Sequence, residues 1–203
     1  MAKLAKEKKA MLDKMMQDQI RDAACEVIDE HGLDKMTMDK VAAAAGVAKG
    51  TLYNYFKDKK ELFTYIVDSL MEPLDKKIAD LANSPNEPLE KLKEIAKNVL
   101  NTFSENGKIF YLIHQAREKN LLKDRKPFRK REMVLNCINI IITEGIEKGI
   151  FKDLDSKVIA EIFLGMIMSI NISKIHSQVI RPVNEDLEII MTVLTGGVLK
   201  LNE

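Results

Sequence analysis

The chain has 203 residues, 46% of them hydrophobic and 31% charged, and a formal net charge of +1. Such a length can bury a substantial core in one large domain or two small ones, and the composition is that of an ordinary folded protein. The near-zero net charge excludes a global field that would draw in nucleic acid, so any contact with phosphates has to be local.

In chain order, Ile20, Ala23, Ala24, Val27 and Ile28 recur at helical spacing and predict an amphipathic helix that stops near Gly32. Upstream of it, "AKLAKEKKAMLDK" is basic but diluted by Glu7 and Asp13, and reads equally as a phosphate-contacting arm or a solvated, partly disordered tail. Thr37 is a good N-cap for a second helix carrying Met38, Val41, Ala42 and Ala45, and Gly46 ends it. A short third helix follows from about Lys49 to Phe56. Asp58, with Glu61 three residues on, caps a long fourth helix with the apolar stripe Leu62, Phe63, Ile66, Val67, Leu70, Met71 and Leu74.

"NSPNEP" (Asn83 to Pro88) breaks the pattern, and Leu89, Leu92, Ile95, Ala96, Val99, Leu100 and Phe103 resume it. A short helix carries Phe110 to Gln115, and a helix from about Pro127 to Lys148 is apolar on two sides. After the turn "EKGIFKDLDS", two last helices span roughly Asp155 to Val179 and Asn184 to Lys200. No alternating β pattern or internal repeat occurs. The expected fold is all-α with about nine helices: an N-terminal three-helix domain over residues 1–60 and a larger helical domain over 61–203.

The segment "TMDKVAAAAGVAKGTLYNYFKDKKELF" (Thr37 to Phe63) concentrates the chemistry. Between Gly46 and Lys60 four lysines face a single acid, Asp58. A helix, a glycine able to take positive φ, an apolar turn residue and a second short helix make a helix-turn-helix. Leu52 and Phe56 would fill the space between helices. Lys49, Gly50, Thr51, Tyr53 and Asn54 would then face outward near the start of the helix that enters a major groove.

These residues resemble, without gaps, the DNA-binding segment of TetR-type transcriptional regulators. The shared pattern is Thr37, Val41–Ala42, Ala45–Gly46–Val47, Lys49 to Tyr53, Tyr55–Phe56 and Lys59 to Leu62, and "GIEKGIF" (Gly145 to Phe151) resembles a turn frequent late in such proteins. The resemblance implies that Lys49, Gly50, Thr51 and Tyr53 lie in or beside the major groove, and that Thr37, Tyr55 and Lys59 contact phosphates. Tyr55 could instead pack as a core aromatic, and Asn54 either reads a base edge or faces water. Ala48 departs from the Ser or Thr common at that position in the family, which removes one hydroxyl contact.

The resemblance further implies a homodimer through the last two helices, holding the two recognition helices about 34 Å apart on a double-stranded operator. Ile159, Ile162, Phe163, Met166, Ile167 and Ile170, with Leu187, Ile190, Met191, Leu194 and Val198, offer material for that interface or for the monomer core. A small apolar or amphipathic effector is implied as well. Phe103, Phe110, His114, Met133, Cys137, Met166 and Asn171 are its candidate contacts, with a packed Met-rich core as the alternative. The expectation is a repressor released when the effector moves the fourth helix.

Two rival readings are an all-α enzyme and a helical interaction module without DNA binding. No catalytic constellation or metal spacing is apparent: His31, His114 and His176 lie in separate helices, and Cys25 and Cys137 read as reduced thiols in apolar patterns. No cofactor is implied. "VIAEIFLGMIMSI" (Val158 to Ile170) is short for a bilayer span and contains Glu161, and the N-terminus lacks the apolar core of a signal peptide. The expected location is therefore cytoplasmic, without membrane attachment.

Overall fold

A computed structural model of the protein describes residues 2–107, 110, 111, 128–177 and 181–199. Among these, eight helices occur: α1 (Ala2–His31), α2 (Met38–Ala44), α3 (Lys49–Tyr55), α4 (Lys59–Ala82), α5 (Pro88–Glu105), α6 (Phe128–Glu147), α7 (Ser156–Ser177) and α8 (Val183–Val198). The chain forms two compact units, which divide inside α4 between Leu70 and Met71. Gln115 and His114 lie outside the described residues, as does most of the short helix expected around them.

In the first unit α1 buries Ile20, Ala24, Val27 and Ile28, the stripe its period predicts. It ends where Gly32, at φ 79°, donates its N–H to the Ile28 carbonyl at 2.8 Å. The basic segment before Asp13 is helical from Ala2, because Ala, Leu, Lys, Glu and Met are strong helix formers and no Gly or Pro interrupts them. Its Leu4, Met11 and Leu12 are exposed. Val41, Ala42, Leu52, Phe56, Leu62 and Phe63 complete this core from α2, α3 and α4.

The second unit is built on α5, which packs against α6, α7 and α8, with α7 also lying along α6 and α8. Its core joins Leu74 and Ile78 of α4 to Leu92, Ile95, Val99, Ile138, Ile141, Phe163, Ile167, Ile190 and Leu194. The Gly145–Phe151 turn shows why glycine is needed twice. Gly149, at φ 70°, closes α6: its N–H reaches the Ile146 carbonyl at 2.9 Å and that of Ile150 reaches Gly145 at 2.9 Å. A Cβ on Gly145 would fall 2.2 Å from the Phe151 ring, so the ring seats directly on the α6 backbone. A void of about 10 Å³ among Leu92, Ile142, Phe151, Leu194 and Val198 has room for no more than about one water, so little space is left there.

Two ion networks pin the unit. Lys91 is buried and donates to Glu144 at 2.7 Å, while Lys148 holds the same carboxylate at 2.9 Å. These ammonium groups keep the Glu144 carboxyl below its ordinary range. Asp186, fully buried, takes Arg181 at 2.9 Å and also Lys174, tying the end of α7 to the start of α8.

The window Ser156–Lys174 of α7 is long and apolar enough to cross a bilayer, longer than the 13-residue run read from sequence. Its Ala160, Phe163, Leu164 and Ile167 belong to the second unit's core.

Candidate nucleic-acid interface

The turn between α2 and α3 is specified by local backbone chemistry. Thr37 sits in extended conformation and its Oγ1 accepts from the Lys40 N–H at 3.3 Å, capping α2. Gly46, at φ 66°, ends the helix with the paired bonds Gly46 N–H to Ala43 carbonyl (3.2 Å) and Val47 N–H to Ala42 carbonyl (3.0 Å). A left-handed residue is required there, and glycine takes it without a Cβ penalty. Gln19 of α1 closes the junction by donating to the Ala45 carbonyl at 2.9 Å.

α3 is sorted by its period. Leu52 and Phe56 are buried at 0% and 2% exposure, whereas Lys49, Gly50, Tyr53 and Asn54 face outward and Thr51 is half-buried. Tyr53 keeps 43% of its surface exposed, a large aromatic with no core to fill. A Cβ on Gly50 would meet nothing within 4 Å, so open space surrounds the backbone at the start of the helix. Ala48 occupies the N-cap with no side-chain cap bond, leaving the first N–H groups of α3 unsatisfied by its side chain.

The flanking cations are held by neighbours. Lys49 pairs with Asp39 of α2 at 2.7 Å, both side chains being well exposed; this hydrogen bond and charge raise the Lys49 pKa. Lys59 donates to the Leu33 carbonyl and so buttresses the loop between α1 and α2. Tyr55 is half-buried and donates to Asp13 of α1 at 3.3 Å; loss of water around the phenol, then the Asp13 charge, raise its pKa. At the start of α4, Asp58 accepts the Glu61 N–H at 2.7 Å and Glu61 accepts the Lys57 N–H at 2.8 Å. Lys57 remains exposed beside this cap. Elsewhere on the unit, an open groove is lined by Asp18, Asp22 and Glu26, the first two of them paired with Arg21.

In the second unit the described candidate effector contacts include two touching pairs. Phe103, Cys137 and Met166 pack against the main apolar cluster. The Phe110 ring stacks on Phe103 with centroids 3.6 Å apart and planes 8° apart, and the Cys137 thiol lies 3.8 Å from the Met133 sulfur. Burial, and then the Asp75 carboxylate, push the Cys137 thiol up. Asn171 is 3% exposed, one turn past Ile167 on α7. Asn136 is exposed. Sequence reading missed the Lys91–Glu144 and Lys174–Asp186 pairs; a charged residue on an otherwise apolar helical face was the available signal, as at Lys91 between Pro88 and Leu92.

A buried Leu–Phe pair beneath an exposed Lys–Tyr–Asn face, joined by a glycine turn to a capped helix, defines a helix-turn-helix DNA-binding regulator. The description "Bacterial regulatory proteins, tetR family" matches residues 20–66, and "Tetracyclin repressor-like, C-terminal domain" matches residues 85–172. The fatty acid metabolism regulator protein of Bacillus subtilis is 31% identical over 155 residues, covering 73% of this chain and 78% of its own. The structure of FadR from Bacillus subtilis in complex with stearoyl-CoA is 26% identical, covers 88% of this chain and 97% of its own, and superposes with a TM-score of 0.74. The fatty acid degradation regulator FadR of Bacillus halodurans gives 27% identity, coverage of 88% and 93%, and a TM-score of 0.72. The chain belongs to the TetR family, and it is a DNA-binding transcriptional regulator rather than an enzyme.

Proposed function

We propose that the protein is a homodimeric repressor that binds a palindromic operator and leaves it on binding a long acyl thioester. The observation that carries the operator reading is the sorting of α3, which buries Leu52 and Phe56 and leaves Lys49, Tyr53 and Asn54 to solvent. Lys49, Gly50, Thr51, Tyr53 and Asn54 face the bases and the adjoining backbone. Thr37, Tyr55 and Lys59 position the helix on phosphates, the last two through the loop and helix they brace.

Dimerisation uses the uncovered side of the last two helices. Val158, Ile162 and Ile172 of α7 are 50%, 50% and 41% exposed, and Ile189 and Val193 of α8 are 49% and 59% exposed. Gly165 and Ser169 lie on the same side of α7 and allow close approach. An apolar stripe of this kind, read twice across a two-fold axis, gives a self-complementary interface.

The effector reading rests on the relatives named as fatty acid regulators and on the half-buried Phe103, Met133, Cys137 and Met166, with Phe110 stacked beside them. The ligand releases DNA by favouring one of two states, with α4 as the continuous segment shared by both units.

Sequencing of random fragments retained by the purified protein tests this reading. The expected result is one palindromic site with half-sites about one helical turn apart, or a multiple of it, and release of the fragment by stearoyl-CoA. Retention of fragments with no shared or symmetric sequence would overturn it.

A further inference from the structure

Among the buried polar atoms of the second unit, the Asn171 side-chain nitrogen stands out. It is fully enclosed in a residue only 3% exposed and has no hydrogen-bond partner among the described residues, a state it shares in this unit with the Asn139 Oδ1. Leaving an amide donor unpaired in the interior is costly, and native structures keep few such groups without a reason.

Its position is informative. Ala160, Phe163, Leu164 and Ile167 form the core-facing stripe of α7, and Asn171 is the next member of that stripe. Helical period calls for an apolar residue there. Near the Gly145–Phe151 turn the residues Leu92, Phe151 and Leu194 are tightly enclosed, whereas Phe103, Met133, Cys137, Met166 and Met168 are only half-buried. Phe103, Cys137, Met166 and Met168 pack against the same apolar cluster as that α7 stripe, and thioether and thiol side chains adapt readily to a guest.

We propose that Asn171 is the polar anchor of the effector site, donating its side-chain N–H to an uncharged carbonyl at the head of an apolar chain. This deepens, and rests on, the acyl-effector reading above. A neutral donor suits an ester or thioester oxygen. A carboxylate would bring a charge that a single amide does not compensate, and the cation nearest along the helix, Lys174, is committed to Asp186 and to the Arg181 carbonyl.

The test compares binding of stearoyl-CoA, its octadecyl thioether analogue lacking the carbonyl, and stearate to the wild-type protein and to Asn171→Leu, with Asn171→Met as a second variant. The expected wild-type preference for the thioester over the thioether is roughly 5- to 100-fold, the scale of one buried hydrogen bond, with stearate also weaker. Both variants lose the thioester-over-thioether preference while their thermal midpoints hold or rise, since an unpaired polar group has been replaced by an apolar one. A merely structural Asn would lower the midpoint when replaced and leave the ligand preference intact. Equal binding of thioester and thioether by wild type, or an unchanged preference in both variants, overturns the anchor alone. If wild type binds none of the three, the acyl-effector reading fails and the anchor falls with it.

Discussion

α3 and α7 each bury one face and leave the other uncovered, and the chemistry of the uncovered face separates their roles. In α3 it holds Lys49, Gly50, Tyr53 and Asn54, a polar surface able to meet phosphates and base edges. In α7 it holds Val158, Ile162, Gly165, Ser169 and Ile172, flanked by Glu161, a mainly apolar surface with no cation among these residues for a phosphate. On the function proposed above, the same pattern of burial suits α3 to reading DNA and α7 to assembly.

Placing a charge on the apolar face should have the largest effect. Val193→Glu places a carboxylate in the exposed α8 stripe, where the proposed interface would desolvate it. We expect dimerisation to fall on the order of a hundredfold or more, read by sedimentation at micromolar protein, with helical content unchanged. A variant that remains dimeric would remove α8 from the interface.

Next in size is Glu144→Gln, which leaves the buried Lys91 without its carboxylate and should cost roughly 1–3 kcal/mol at neutral pH. Because the folded Glu144 carboxyl titrates below its ordinary value of 4.5, its contribution is present above that value and is lost as pH falls through the lower folded one. The gap in thermal midpoint between wild type and variant should therefore close on acidification. A gap that persists at low pH would show that geometry, not charge, is lost.

The smallest effect is a gain. Ala48→Ser supplies the missing α3 cap and should add about 0.5–1 kcal/mol. Measured by denaturant midpoint, the change should appear alongside tighter operator binding if the hydroxyl also reaches a phosphate.

The first unit was the more legible in sequence because its determinants are local. The Thr37 cap, the Gly46 terminator and the Asp58–Glu61 pair each act within four residues, and each is in place. Tyr55 and Lys59 were less legible, since their partners Asp13 and Leu33 are 42 and 26 residues away. In the second unit, periodicity identified the helices but not which side of them meets the core. Leu187, Ile190, Leu194 and Val198 are monomer core, while the exposed Ile189 and Val193 stand one residue out of that register. An all-round apolar helix carries no such information until its neighbours are known.

Whether the exposed face of α3 reads DNA is decided by salt-dependent operator binding of wild type and of a Tyr53→Ala, Asn54→Ala variant. For wild type, log affinity should fall steeply and linearly with log salt. The double variant should keep its dimer and thermal midpoint, bind the selected site at least about tenfold more weakly, and lose most of its preference over random DNA. Undiminished affinity and preference in a folded, dimeric variant would contradict the account.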